Sequence, residues 1–284
     1  MTGSVSLAAD AVPAATRSVR IAASIQIAAA ILLLVLLFLE WVRGGRIGLE
    51  GNGGGGFGIL TLITALVALY AAVQGLRGHR SETRLLGPNQ MATALALSLF
   101  ASNLVFLWVF NTGGAPKWVY IGSNAIVYAS VLGLFSSRPD QAPPLADRQI
   151  RGLGIATAAL GVAIAAAPMV EYTKLSSVTF TGYEPGAPRI GLLFLIVGAV
   201  TTFYGVHRAA KGAPMADLGP FVLWPHITMG LGVLATAPAF AWMVSGLWGT
   251  DFDPGVGVYL NLLAGLGLFG VGLLEALRRS AIGV

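Results

Sequence analysis

Eight apolar runs divide this chain, and short polar connections join them. They lie at roughly 21–42, 57–77, 91–111, 117–136, 152–172, 189–207, 219–247 and 255–276. A helix that crosses a bilayer needs about 20 mostly apolar residues, so each run is long enough. Hydrocarbon offers no partner to an unpaired backbone group, and the runs lack the two-residue alternation of a barrel. Each is therefore expected to be α-helical. Only 10% of residues are charged, against about 25% in soluble domains. The expected fold class is all-α: a polytopic membrane bundle of eight transmembrane helices.

The direction of the runs follows from Lys and Arg, which accumulate in cytoplasmic loops. Twelve of the 17 basic residues lie before run 1, in the connections after runs 2, 4 and 6, and after run 8. The other five, Arg43, Arg46, Lys117, Lys174 and Arg189, fall in the alternate connections. Both termini are thus expected in the cytoplasm, and the alternation supports an even span count. The pI near 9.8 reflects this distribution. No single basic stripe suited to nucleic acid is formed, so no nucleic-acid partner is expected. Arg outnumbers Lys, and Ala and Gly are abundant, which suggests a high-GC bacterial genome and hence the inner (plasma) membrane. The first run is too long for a signal-peptide core and has no small-x-small site before Glu40. Residues 1–16 read as a disordered tail. The chain has no cysteine, which excludes disulfides, thiolate metal sites and S-acylation.

The second half reads like the first. An apolar run ends in Glu40-Trp41, passes a polar loop and resumes at Gly58-Ile59-Leu60; another ends in Glu171-Tyr172 and resumes at Gly191-Leu192-Leu193. Runs 4 and 8 each begin with a proline, a spacer and Val-Tyr-aliphatic (Val119-Tyr120-Ile121, Val258-Tyr259-Leu260), followed by Asn124 or Asn261. Two four-helix repeats are expected, residues 21–136 and 152–277. Residues 1–20 form an N-tail, 137–151 a linker containing Pro139, Pro143 and Pro144, and 278–284 a C-tail. Four spans per repeat is even, so the repeats should be parallel, related by an axis along the membrane normal.

The first outer loop of each repeat is expected to be short and strand-like. Val178 and Phe180 alternate around Thr179, which fits a two-stranded ribbon turning at Glu184-Pro185-Gly186. In the loop at 43–56, Gly53 to Gly56 read as a flexible turn. A four-helix unit with an aromatic at the outer end of helix 1 and a strand-like first outer loop resembles the claudin-like arrangement. The likeness is one of layout. That family's paired cysteines and loop signature are absent, so it implies no site residue and no junction function.

Several residues could carry function. His226 follows Trp224-Pro225 and is read as the single ionisable group near membrane depth, where such groups are functional suspects. Pro225 could kink the helix and open a pocket. With Asn103, Asn124 and Asn261, His226 forms a candidate intramembrane polar site; the same groups could equally bond across helices. His207 and His226 lie at unequal depths, which argues against a bis-histidine haem. Glu40 and Glu171 occupy matching helix ends, where the dipole disfavours negative charge. They are a candidate outer-face site for a cation or a partner's basic group, or else interfacial ion pairs. Two G-x-G-x-x-G matches, at Gly51 and Gly265, lack the strand-to-helix setting of a dinucleotide site. Asn261, Gly265 and Gly272 instead share one face of helix 8, suited to close packing at the seam between repeats. The 219–247 run is long enough to tilt, or to reach the outer surface near Trp242 and Trp248.

No Asp or Glu is placed at mid-membrane, no zinc or Walker motif occurs, and no loop could hold a catalytic domain. The expectation is a non-catalytic protein without cofactor or metal, acting as an accessory or scaffold subunit of a larger membrane complex. Its partners would be lipids and other membrane subunits or a second copy. The alternative is a channel or carrier for a small apolar or lipid-like molecule, using the groove between repeats.

Overall fold

Eight long helices account for most of the chain in this computed structural model, which describes residues 17–42, 46–50, 55–77, 87–109, 114–135, 145–175, 178–184, 190–212, 224–247 and 252–282. They are α1 (Arg17–Leu36), α2 (Gly55–Leu76), α3 (Pro88–Val109), α4 (Ala115–Phe135), α5 (Asp147–Ala166), α6 (Ile190–Lys211), α7 (Trp224–Leu247) and α8 (Val256–Ile282). Among the described residues, five short strands in two sheets lie at one end of the helices: β1 (Glu40–Val42), β2 (Arg46–Ile47), β3 (Glu171–Leu175), β4 (Val178–Thr181) and β5 (Phe252–Pro254). The tail expected over 1–16, the prolines of the linker and Trp248 lie outside the described residues. The helix α5 begins at Asp147, within the stretch read as linker.

Six of these helices are long and apolar enough to cross a membrane: α1, α2, α5, α6, α7 and α8. The outward faces of the bundle carry large apolar side chains; Tyr128 is 73% exposed, Phe203 70% and Leu263 64%. A water-soluble surface does not tolerate apolar area on this scale. Small residues line the tightest helix contacts, because helices in lipid gain little from burying bulk and much from close approach. The chain is an integral membrane protein.

Within each half, the helices in closest contact run in opposite directions. In the first half α1 packs on α2 and α4, and α3 packs on α2 and α4. In the second, α5 packs on α6 and α8, and α7 packs closely on α8 and lightly on α6. The most extensive contact among the described helices is that of α5 with α6. A Cβ on Gly205 would collide with the Ala158 nitrogen, and one on Gly198 would stand 2.6 Å from the Gly161 oxygen. Counted from Trp41 and Gly58 as from Tyr172 and Gly191, the positions matching Gly154, Gly161, Gly198 and Gly205 are Ala23, Ala30, Ala65 and Ala72. All four alanines are buried.

The strand end has matched features in the two halves. Trp41 and Tyr172 each follow a strand-opening glutamate and are fully buried. Gly48 lies against Trp41, and Gly182 against Tyr172. The Ile47 N–H donates to the Glu50 carboxylate at 3.2 Å, and the Thr181 N–H to the Glu184 carboxylate at 3.2 Å. A side chain on Gly58 would strike the Gly48 carbonyl, and one on Gly191 the Gly182 carbonyl.

Several expectations are corrected here. Glu40 and Glu171 do not end helices: α1 stops at Leu36, and both glutamates open strands as exposed residues. The dipole argument therefore does not apply to them. The β3–β4 ribbon exists, but its strands pair up to Leu175 and Val178, so it closes between those two residues and not at Glu184; Pro185 and Gly186 lie outside the described residues. Its sheet has order β4-β3-β5, so α8 enters through a third strand. Gly55 and Gly56 begin α2 rather than a loose turn, with Gly55 at a φ of 48°. Pro225 lies in the first turn of α7, where its missing N–H costs nothing, and the proline inside that helix is Pro238. The Gly265 and Gly272 face of α8 packs on α7 within the second half, not at the seam.

Candidate functional site

The two halves meet where α7 lies against α2 and α3. At the strand end the seam is closed by backbone. The Gly56 N–H donates to Ser245 Oγ at 2.8 Å, and the absent Gly56 side chain leaves room for the Ala241 carbonyl. Phe57 meets Trp242 edge-on, ring centroids 6.0 Å apart at 77°. Trp242 itself is buried and donates its indole N–H to Thr173 at 3.1 Å, so it is a core residue and not part of an outer aromatic belt.

At the opposite, basic end the seam is closed by Gln90 and His226, 2.9 Å apart. The Gly87 N–H donates to Gln90 Oε1 at 2.7 Å. That bond fixes the amide so that its NH₂ faces the ring, and Gln90 donates to His226 Nδ1.

Between these two closures the seam opens into a cleft of about 420 Å³. It is walled by Leu60 and Val67 of α2, Met91 and Leu95 of α3, Phe240 of α7 and Phe269 of α8. Its surface is wholly apolar, and residues of four helices line it. A hydrogen bond across the seam lies beyond it at each end.

The four polar residues expected to line such a cavity do not converge. Asn103 is buried and donates to the Pro116 carbonyl, tying α3 to the start of α4. Asn124 is half-buried and donates to the Tyr120 carbonyl of its own helix at 2.9 Å. Asn261 is fully buried and lies 3.5 Å from the Tyr172 hydroxyl. His226 sits at the far end of the bundle with Gln90. The paired motifs of α4 and α8 align Asn261 with Gly122, so Asn124 and Asn261 are not counterparts. Burial without compensating charge pushes the Tyr172 phenol well above its ordinary value, and burial also raises Tyr183.

Sequence reasoning missed a fully buried carboxylate among the described residues, Glu275. Glu275 accepts from Arg208 Nη1 at 2.9 Å and Nη2 at 2.8 Å, and from Arg279 Nη2 at 2.9 Å. Glu275 and Arg208 are wholly buried, and Arg279 is 4% exposed. The Tyr204 ring lies 5.3 Å under the Arg208 guanidinium. His226 is therefore not the single ionisable group enclosed by the helices. Counting basic residues by loop places Arg208 in a connection and Arg279 in a tail, and Glu275 falls at the very end of the last apolar run. In the fold Glu275 lies nineteen residues into α8, about 28 Å from the helix start, near the basic end. The signal is periodicity. Asn261, Leu268 and Glu275 are seven apart, as are Phe194, Thr201 and Arg208, and every one of them is buried. The triad clamps α6 to α8.

Among the described residues no cluster of three or more His, Asp or Glu suited to a metal occurs. Comparison with protein-family models, curated proteins and solved structures finds no match.

Proposed function

We propose that this chain is a non-catalytic, eight-span membrane protein that holds an apolar, lipid-like molecule in the seam between two like-oriented four-helix repeats. The observation that carries this reading is the apolar cleft, bounded at both ends and placed between the halves. Ligand sites are concave, mostly apolar and frequently sited where two units meet. The duplication is supported by the matched glutamate, aromatic and glycine positions of the two strand regions, and by the Ala/Gly correspondence of the first helix pair in each half. The basic end, with Arg17, Arg20, Arg148, Arg151, Arg208 and Arg279, is assigned to the cytoplasm of a bacterial inner membrane by the excess of positive charge. The four polar residues grouped from the sequence as one site act instead as separate ties, and Glu40 and Glu171 remain a candidate outer-face pair.

The test is extraction. Protein purified in mild detergent should release a defined apolar molecule in fixed molar ratio, detected by mass spectrometry. Ala237→Trp, which fills the cleft from α7, should purify folded and empty. Equal recovery of the molecule from both proteins would sink the reading.

A second reading, an accessory subunit of a larger membrane assembly, is favoured by the sheet edge. Strand β4 is terminal in its sheet and exposes Val178 and Thr179, and open edges accept strands from other chains. Co-purification of a partner protein in fixed ratio, lost on Val178→Pro, would support it.

A further inference from the structure

Among the described residues that line the cleft, Thr236 alone has a polar side chain. Its hydroxyl is buried and has no hydrogen-bond partner. The buried helical threonines Thr61, Thr64, Thr157 and Thr201 each donate to the carbonyl four residues back. Thr236 makes no such bond. Its Oγ1 is turned onto α8, where Gly265 supplies the room; a Cβ at Gly265 would collide with it. Threonine in a helix divides between two rotamers, so one rotation about χ1 exchanges methyl and hydroxyl at the cleft wall.

Depth restricts what could use this hydroxyl. Thr236 is near the middle of the 24-residue α7, about 17 Å from either end. The hydrocarbon core is about 30 Å thick, and the oxygens of ordinary phospholipids lie outside it. An acyl chain would fill the cleft without offering an acceptor at that level.

Resting on the reading of the cleft as a ligand site, we propose that its occupant is an apolar molecule carrying a hydrogen-bond-accepting oxygen on its body, of the ketone or quinone class, and that Thr236 donates to that oxygen. The occupant's remainder is hydrocarbon, matched to the apolar walls.

Two probes with the same alkyl tail test this in lipid nanodiscs: an alkyl benzoquinone and the corresponding alkylbenzene. The wild-type protein should bind the quinone about five- to tenfold tighter, as expected for one hydrogen bond in an apolar site. Thr236→Val, which keeps the shape, should bring the two affinities together and leave the alkylbenzene unchanged; Thr236→Ser should retain the preference. Equal binding of both probes by the wild type, or a preference that survives Thr236→Val, overturns the assignment and leaves the apolar site standing. Binding of neither probe removes the site itself.

Discussion

Replacing Glu275 by glutamine should be among the most destabilising single changes available to this protein. Three charge-assisted hydrogen bonds of 2.8–2.9 Å converge on one carboxylate with no exposure to solvent. Two unit charges about 4 Å apart attract by about 4 kcal/mol at an effective dielectric near 20. Removing the anion loses two such attractions and leaves two guanidinium groups buried beside each other. Removing one partner of a buried pair typically costs about 3–5 kcal/mol, so Glu275→Gln is expected to lose that much. A domain's whole stability is only about 5–15 kcal/mol. The triple variant Arg208→Met, Glu275→Leu, Arg279→Met removes the charges together and should return to within about 1 kcal/mol of wild type or exceed it, because the desolvation penalty disappears with the attraction. Reversible unfolding in mixed micelles, followed by far-UV circular dichroism, measures both. A loss under about 1 kcal/mol for Glu275→Gln would show that water screens the triad. A triple variant as unstable as the single one would show that packing, not charge, is responsible.

Three further outcomes follow from the same geometry. Gly205→Ala installs the residue found at the matching position Ala72, yet its Cβ would collide with the Ala158 nitrogen; overpacking should cost about 1–3 kcal/mol, and an unchanged melting temperature in detergent would contradict it. Burial raises the Tyr172 phenol above its ordinary value of 10.0, so its contribution to stability is complete below about pH 10 and is lost as pH rises beyond that. Tyr172→Phe should flatten the alkaline fall in melting temperature, and an identical fall in both proteins would refute the assignment. The chain lacks cysteine, so single additions report topology. An impermeant maleimide should label Thr179→Cys on intact cells and Gln149→Cys only after lysis, and the reverse pattern would invert the proposed orientation.

The helices were legible because lipid imposes a length and a polarity on every span, and those requirements are local. Their ends were less so. Leu37, Phe38 and Leu39 are as apolar as the helix before them, yet α1 stops at Leu36 and β1 begins at Glu40, since Trp41 must reach the core and donate to the Leu36 carbonyl at 2.8 Å. The cleft could not be read from sequence at all. Its walls are mostly leucine, valine, methionine and phenylalanine drawn from four helices, indistinguishable along the chain from residues facing lipid. Polar residues drew the eye to Asn103, Asn124, Asn261 and His226, whose bonds lie at separate levels of the bundle. Glu275 was hidden for the opposite reason: position near a run's end suggested solvent, whereas its seven-residue spacing from Leu268 and Asn261 pointed inward.

The pinned seam also determines how the cleft would fill. With Gly56 against Ser245 at one end and Gln90 against His226 at the other, a guest of the proposed site is expected to arrive by lateral diffusion within the bilayer. Occupancy should then track the guest's mole fraction in lipid, not its concentration in the surrounding buffer. Proteoliposomes diluted into a larger volume would stay loaded, whereas adding empty lipid to the same membranes would draw the guest out.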